Sequence, residues 1–297
     1  MTKILAVGDF HGKLPTKLFN AIKKENPDFI LTPGDFCGNE RLGKLEFKHY
    51  GALEKEIPRK VRKEMSVLHK KSRVEGLRII QKLKTLRIQT YGVLGNWDPK
   101  NYPQEVGSPR IKSEDKKYYK KLKYLLTRKF KLIDFKILEL TDFILVGGAC
   151  STSPGKIDKK VNKQIIKASE KSKRKTNKFI KRRIKEYKRR EKIYLKNFTK
   201  AREISRKIDK PIIFLTHNAP YGTKMSKIRA KSAPKEIRGK HMGSYLERKM
   251  INRFKPDIVI CGHMHENFGK QKLGKTLVIN SGTAMNGNYV KFEVGKK

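Results

Sequence analysis

Five short apolar runs in this chain each give way to a carboxylate, an amide or an imidazole, and this ending constrains the fold more than any other feature. The runs are Ile4–Val7, Phe29–Leu31, Ile88–Leu94, Ile212–Leu215 and Ile258–Ile260. They have the length and β-branched content of buried strands. They lead into Gly8-Asp9-Phe10-His11, Gly34-Asp35, Gly95-Asn96-Trp97-Asp98, Thr216-His217-Asn218 and Gly262-His263-Met264-His265. In α/β sheets, ligands collect beyond the carboxyl ends of the strands. Taken singly, each ending also reads as a turn: Gly-Asp and Asx residues are common turn formers. All five endings in one chain, each after an apolar run, point instead to a shared site.

The stretches between the runs set the fold class. A helical pattern over Leu14 to Lys24, with Leu18, Phe19 and Ile22 as its apolar face, joins the first two strands into a β–α–β unit. Residues 41–87 read as mainly helical, and a helix of roughly Ser244 to Phe254 precedes the last site motif. Strand patterns at Phe135 to Leu140 and Phe143 to Val146 flank a Thr141-Asp142 hairpin turn. Two final strands fall around Leu277–Ile279 and Tyr289–Val294. Strands alternate with helices early and end as a meander, so the expectation is an α/β fold with mixed sheets forming a two-layer β-sandwich flanked by helices. At 297 residues the chain suits one large domain.

Charge is the second constraint. Lys and Arg number 73 against 28 Asp and Glu, a net of +45. The excess sits between the motif strands. Residues 44–87 carry 14 Lys/Arg and 5 Glu, residues 100–131 are again basic, and residues 156–210 carry 24 Lys/Arg and 6 Asp/Glu. Such an excess exceeds what solubility needs and implies a polyanionic partner, either nucleic acid, a nucleotide or a membrane surface. A Lys-rich thermophilic proteome would raise Glu alongside Lys, which is not the pattern here. Apolar residues recur at Phe179/Ile180, Ile184, Tyr187, Tyr194, Phe198, Ala201, Ile204 and Ile208, so one long amphipathic helix is expected from about Asn177 to Ile208, with a dense cationic face. A less periodic basic stretch covers 156–175, and Tyr118-Tyr119 lies among lysines. Tyr187 and Tyr194 fit the buried stripe. The other tyrosines are available to stack on bases.

The three cysteines are odd in number, widely spaced and lack a Cys-x-x-Cys pair, so a disulfide scaffold and a Cys-rich structural zinc site are both excluded. No run approaches the ~18 apolar residues of a membrane span, and the first strand begins almost at Met1, so a cytoplasmic location is expected.

With the five motifs in this order, the sequence strongly resembles the calcineurin-like metallophosphoesterase family over nearly its whole length, and is closest to small intracellular archaeal and bacterial members. Pro220-Tyr221-Gly222 and the His241-x-Gly243-Ser244 segment resemble theirs too. The resemblance implies an α/β/β/α metallophosphoesterase fold over residues 1–297, with basic helical insertions at about 41–87 and 156–210. It implies a dinuclear centre in which Asp9, His11 and His265 bind one divalent ion, Asn96, His217 and His263 bind a second, and Asp35 bridges them. Mn is the first expectation, with Fe, Zn, Ni or Co compatible with the donor set. A hydroxide between the metals would attack phosphorus, with Asp35 and Asn96 at the catalytic centre and Asp98 orienting a neighbouring group. The expected activity is a phosphodiesterase acting on or near nucleic acid. The alternatives are a phosphoesterase for a small metabolite or nucleotide and a non-catalytic nucleic-acid-binding protein on this scaffold. Oligomeric state is left open.

One position departs from the family. Its third motif usually places a histidine after Gly-Asn to protonate the leaving oxygen, and here that residue is Trp97. An indole N–H does not titrate in the useful range. Two expectations follow: aryl leaving groups are favoured over alkyl ones, and a metal-bound water or His241 substitutes for the acid. Trp97 reads either as a packing residue or as a substrate-facing platform. Asn218 and His241 are further substrate-binding candidates.

Overall fold

The computed structural model describes residues 1–49, 56–100, 113–148 and 173–295, apart from 232, 234 and 236. The basic stretch at 156–172, Cys150 and residues 101–112 therefore lie outside the described residues, as do the side chains of Phe179, Ile180 and Ile184.

Among the described residues there are two mixed sheets and six α-helices. In chain order the strands are β1 (Thr2–Ala6), β2 (Phe29–Thr32), β3 (Gln89–Gly92), β4 (Phe130–Leu132), β5 (Ile137–Glu139), β6 (Ile144–Gly147), β7 (Ile212–Leu215), β8 (Ile258–Cys261), β9 (Gly269–Leu273), β10 (Thr276–Asn280) and β11 (Val290–Val294). The helices are α1 (Thr16–Glu25), α2 (Glu40–Lys48), α3 (Arg59–Lys84), α4 (Ser113–Leu125), α5 (Lys173–Ile208) and α6 (Tyr245–Phe254). One sheet runs β11-β1-β2-β3-β4 and the other β5-β6-β7-β8-β10-β9. β1 to β4 are mutually parallel, as are β6, β7, β8 and β10, whereas the edge strands β11, β5 and β9 run antiparallel to their neighbours.

The period-two alternation of the strands builds the layers. Ile4 and Ala6 of β1 face Ile213 and Leu215 of β7 in a core between the sheets, joined by Leu31, Phe143, Leu145 and Ile260. Leu5 and Val7 face the other way, toward Leu18 and Ile22 of α1, Ile79, Ile80 and Leu83 of α3 and Leu122 of α4. In the second sheet Ile212 and Phe214 face outward onto Tyr194, Phe198 and Ala201 of α5 and Leu246, Met250 and Ile251 of α6. The order is helix, sheet, sheet, helix, as expected.

α5 also meets its expectation: Tyr194, Phe198 and Ala201 are buried, and Tyr187 and Ile204 pack beside them. α6 starts where Ser244 accepts a hydrogen bond from the Glu247 N–H, an N-cap that satisfies one otherwise free donor. Three local readings need correction. Phe135 to Leu140 is a strand only over Ile137–Glu139, paired antiparallel with β6 through the expected hairpin. β4 lies inside what reads as a basic segment, because its exposed Lys131 separates the buried Phe130 and Leu132. β9, with sequence GKQKL, pairs only along the edge of β10 and has a single apolar residue, the half-buried Leu273, so it carries no apolar periodicity.

Candidate metal centre

Every site motif falls at the carboxyl end of a parallel strand, and β1, β2 and β3 of one sheet end beside β7 and β8 of the other. The backbone bends sharply there. Asp9, His11, Asp35 and His263 all adopt positive φ, at 53°, 45°, 53° and 68°. Residues with a Cβ reach this region at a cost of about 1 kcal/mol or more each, and such strain clusters at functional sites. Hydrogen bonds pin the bends together. Asp9 N–H donates to Gly34 O at 2.8 Å and His11 N–H to Asp35 O at 2.9 Å. Two further contacts cross between the sheets: His263 N–H donates to the Asp9 carboxylate at 3.0 Å, and the His217 ring bonds Pro33 O through Nδ1 at 2.8 Å. The motif glycines are explained by close approach. A Cβ on Gly95 would overlap the Asp35 carboxylate, and one on Gly262 would overlap that of Asp9.

The candidate ligand atoms form two groups, Asp9 with His11 and His265, and Asp35 with His217 and His263, each within 4.8 Å. Asp35 reaches both groups: its Oδ2 lies 3.4 Å from His217 Nε2 and 3.7 Å from His11 Nε2. Asn96 Oδ1 lies 2.7 Å from His217 Nε2 and 2.9 Å from His263 Nδ1. The Nε2 atoms of His11 and His265 are 2.9 Å apart.

The donor chemistry fits divalent cations. Because the Pro33 carbonyl can only accept, His217 Nδ1 carries the proton and Nε2 presents a lone pair. That lone pair faces Asp35 Oδ2 and the Asn96 amide, and with the amide oxygen inward acceptors converge there with no proton between them. Burial holds His11 and His263 down to about 3 and His217 to about 4, so all three rings are neutral ligands near neutral pH. Burial pushes Asp35 well above the usual carboxylate range, and the charges of Asp98 and Asp9 push it further. A cation between these groups removes the repulsion. Burial would raise Asp9 too, but its hydrogen bond to His265 and the neighbouring imidazoles outweigh that and bring it to about 2. The Asn96 amide has two orientations. Turned over, it donates to both imidazoles and accepts from Trp97 Nε1 at 3.2 Å. With Oδ1 inward it is one more metal-type donor.

A family model for calcineurin-like phosphoesterases matches residues 2–267. The chain belongs to the calcineurin-like phosphoesterase family. This is a family of metal-dependent phosphoesterase hydrolases, and the chain carries two candidate metal-ligand groups. One solved crystal structure superposes with a TM-score of 0.57 at 17% identity, covering 98% of this chain and 94% of its own, which shows the shared fold. The protein TT1561 of Thermus thermophilus aligns at 13% identity and TM-score 0.45 over 98% of both chains. A dimetal phosphatase from Danio rerio aligns at 9% identity and TM-score 0.43, over 96% of this chain and 88% of its own. No curated protein sequence matches the chain.

The other expected residues of this phosphoesterase fall around the centre in different ways. Asp98 is buried, and its carboxylate accepts from Asp35 N–H at 2.8 Å, Gly95 N–H at 2.9 Å and Cys37 N–H at 2.9 Å, tying the second motif loop to the third. Lys100, itself buried, donates to Asp98 O at 3.0 Å. Trp97 N–H donates to Asp35 Oδ1 at 2.8 Å, and its ring stands edge-on to His11 with centroids 5.8 Å apart. Asn218 is buried directly after His217. His241 bonds Ser226 Oγ at 2.9 Å and packs on Tyr221, and none of its hydrogen bonds or ring contacts among the described residues reaches the ligand groups. Two residues on the far side of Trp97 have no sequence signal. His69 of α3 has its ring 6.5 Å from that of Trp97, and Glu46 of α2 lies 3.5 Å from His69 Nε2. Both sit mid-helix in basic segments, away from any strand end.

Proposed function

We propose that this phosphoesterase holds two divalent ions and hydrolyses a phosphodiester on or near nucleic acid. The observation that carries the reading is the pair of ligand groups with the Asp35 carboxylate between them. Asp9, His11 and His265 would hold one ion, Asn96, His217 and His263 the other, with Asp35 shared between them. When bound, such a metal pair activates water for attack on phosphorus and neutralises charge on the phosphoryl oxygens. The protein's own groups supply position. The inter-sheet bonds at His263 and His217 fix the distance between the two halves of the centre, and Asp98 fixes the turn that presents Asp35. His265, whose side chain is 37% exposed, marks the side open to substrate. Trp97 beside His11 offers a face for the substrate, with Asn218 next to His217 as a further contact. The nitrogen and oxygen donors suit Mn first, and Fe, Zn, Ni or Co as well.

Nucleic acid is supported by the net charge of +45 and by its placement. Lys185, Lys188, Arg189, Lys192, Lys196 and Lys200 of α5 are exposed, opposite the stripe that packs on the sheet. Tyr118 lies under the Arg73 guanidinium at 5.3 Å, a polar aromatic beside a cation of the kind that single strands use. Tyr119 instead packs against the core. No helix among the described residues is long and apolar enough to cross a membrane. The two described cysteines, Cys37 and Cys261, are free and buried, which suits a reducing compartment such as the cytoplasm.

Stripping the metals, restoring each singly and assaying a chromogenic diester, a chromogenic monoester and labelled RNA and DNA tests the reading. Metal-dependent diester cleavage, with polynucleotide competing for the site, is expected. Hydrolysis of small esters unaffected by polynucleotide would point to a small phosphorylated substrate instead.

A further inference from the structure

The described residues of the segment 222–242 fold into an arm that is fastened to the last site motif. Its two limbs pair antiparallel: Met242 N–H donates to Ser226 O at 2.7 Å, Ile228 N–H to Lys240 O at 2.9 Å and Gly239 N–H to Ile228 O at 2.8 Å. The Arg238 guanidinium closes the tip by donating to Lys231 O at 2.6 Å and Ala233 O at 2.8 Å. Three sets of contacts fix the arm against the centre. Met264, the residue between His263 and His265, packs with Ile228 and Ala233 in a small apolar cluster of its own. Glu266, directly after His265, accepts from Arg229 N–H at 2.9 Å and Ala230 N–H at 3.2 Å. Asn267 donates to Lys227 O at 2.7 Å and Met225 O at 3.2 Å. The first limb alternates: Ile228 is buried and Ala230 half-buried, whereas Lys227, Arg229 and Lys231 are exposed, as is Lys240 on the facing limb. The apolar side chains thus hold the arm on Met264 and leave the cations to solvent. Over 222–242 the sequence carries seven Lys/Arg against a single Glu.

We propose that this arm binds the phosphate backbone of a polynucleotide next to the scissile ester, through Lys227, Arg229, Lys231 and Lys240. The inference rests on the nucleic-acid phosphodiesterase reading above and narrows its substrate to a strand, as against a mononucleotide or a small phosphorylated metabolite. Charge complementarity commits the arm to a polyanion. Cations two residues apart on an extended limb recur roughly every 6–7 Å, which suits a ligand whose charges also recur along its length. The phosphates of a mononucleotide gather at one end and cannot occupy such a row. The arm is anchored on the residues that flank His265, the ligand-group member at the side open to substrate, so a strand held along it passes the centre. Contacts to phosphate position a strand without reading its bases. The arm therefore confers a dependence on chain length and salt, and none on sequence.

The test measures kcat and KM over a range of salt for a 4-nitrophenyl phosphodiester, a dinucleotide and a single-stranded dodecanucleotide, the last two as RNA and as DNA. It compares wild type with a combined Lys227→Gln, Arg229→Gln, Lys231→Gln and Lys240→Gln variant, and with a combined Lys227→Arg, Lys231→Arg and Lys240→Arg variant that keeps the charge. Wild type should use the dodecanucleotide at a lower KM than the dinucleotide, whatever the base sequence. The Gln variant is expected to lose about tenfold or more in kcat/KM on the dodecanucleotide relative to the 4-nitrophenyl ester, chiefly through KM, with its log KM–log salt slope flattened by about 0.7 for each cation that had met a phosphate. The Arg variant should match wild type. Equal kcat/KM for the two lengths in wild type, an equal loss by the Gln variant on the small ester and the dodecanucleotide, or an Arg variant as impaired as the Gln variant would overturn the assignment. A wild type without metal-dependent hydrolysis of the 4-nitrophenyl ester contradicts the phosphoesterase reading and the arm's role together. One that cleaves the small ester but no polynucleotide contradicts the nucleic-acid reading and the arm together, whereas a wild type that favours the dodecanucleotide beside an unaltered Gln variant contradicts the arm alone.

Discussion

Asp98 shows how little of a metal centre is confined to its ligands. Its two oxygens accept three backbone N–H bonds, from Asp35, Gly95 and Cys37, so it sets the turn on which the Asp35 carboxylate stands. Asp98→Asn keeps the shape but replaces one accepting oxygen with a donor facing N–H groups. Metal affinity should fall by about 10- to 100-fold, as for other residues that orient ligands, measured by competition with a chromogenic chelator. Unchanged affinity would show that the turn holds without it. At this scale the residues that come together were legible in the sequence, because each follows a buried strand whose apolar run announces it. His69 and Glu46 were not legible, because a helix in a Lys-rich segment carries no mark of which face meets a distant strand end. That face is set by Gly76 against Cys37, a contact between residues 39 positions apart.

α5 separates into two roles that substitutions can pull apart. Phe198 is fully buried and stacks on Phe254 at 5.3 Å while meeting Phe214 edge-on at 5.0 Å. Phe198→Ala should cost about 3–5 kcal/mol of stability, the range for truncating a buried aromatic, read from denaturant midpoints. Replacing Lys185, Lys188, Lys192 and Lys196 with Gln should change stability by no more than about 0.5 kcal/mol each. The same change should weaken nucleic-acid binding and flatten its salt dependence by about 0.7–0.9 in log–log slope for each phosphate that the helix no longer neutralises. An unaltered slope would remove α5 from the binding surface. The helix was readable because its stripe recurs every three or four residues. β9 was not, since its one half-buried face carries a single apolar residue, Leu273, and β4 was hidden by the lysines around two buried side chains.

Across the molecule, the centre is a seam. Asp9, His11, Asp35 and Asn96 come from one sheet and His217, His263 and His265 from the other, so an ion bound by both sets joins the two layers. Metal at 100 times its dissociation constant should stabilise the protein by about 2.7 kcal/mol per site, seen as a rise in Tm on adding Mn²⁺ to the stripped protein. The layer order itself was legible from alternating strands and helices, whereas the crossing bonds at His263 and Pro33 depend on how the sheets meet. The claim of two ions joined by Asp35 is tested most directly by titrating Mn²⁺ into stripped protein while following bound metal and diester hydrolysis together. Two equivalents should bind, with hydrolysis rising as the second fills, and Asp35→Asn should abolish both the second equivalent and the activity. Saturation at one equivalent, or full hydrolysis by Asp35→Asn, would contradict the account.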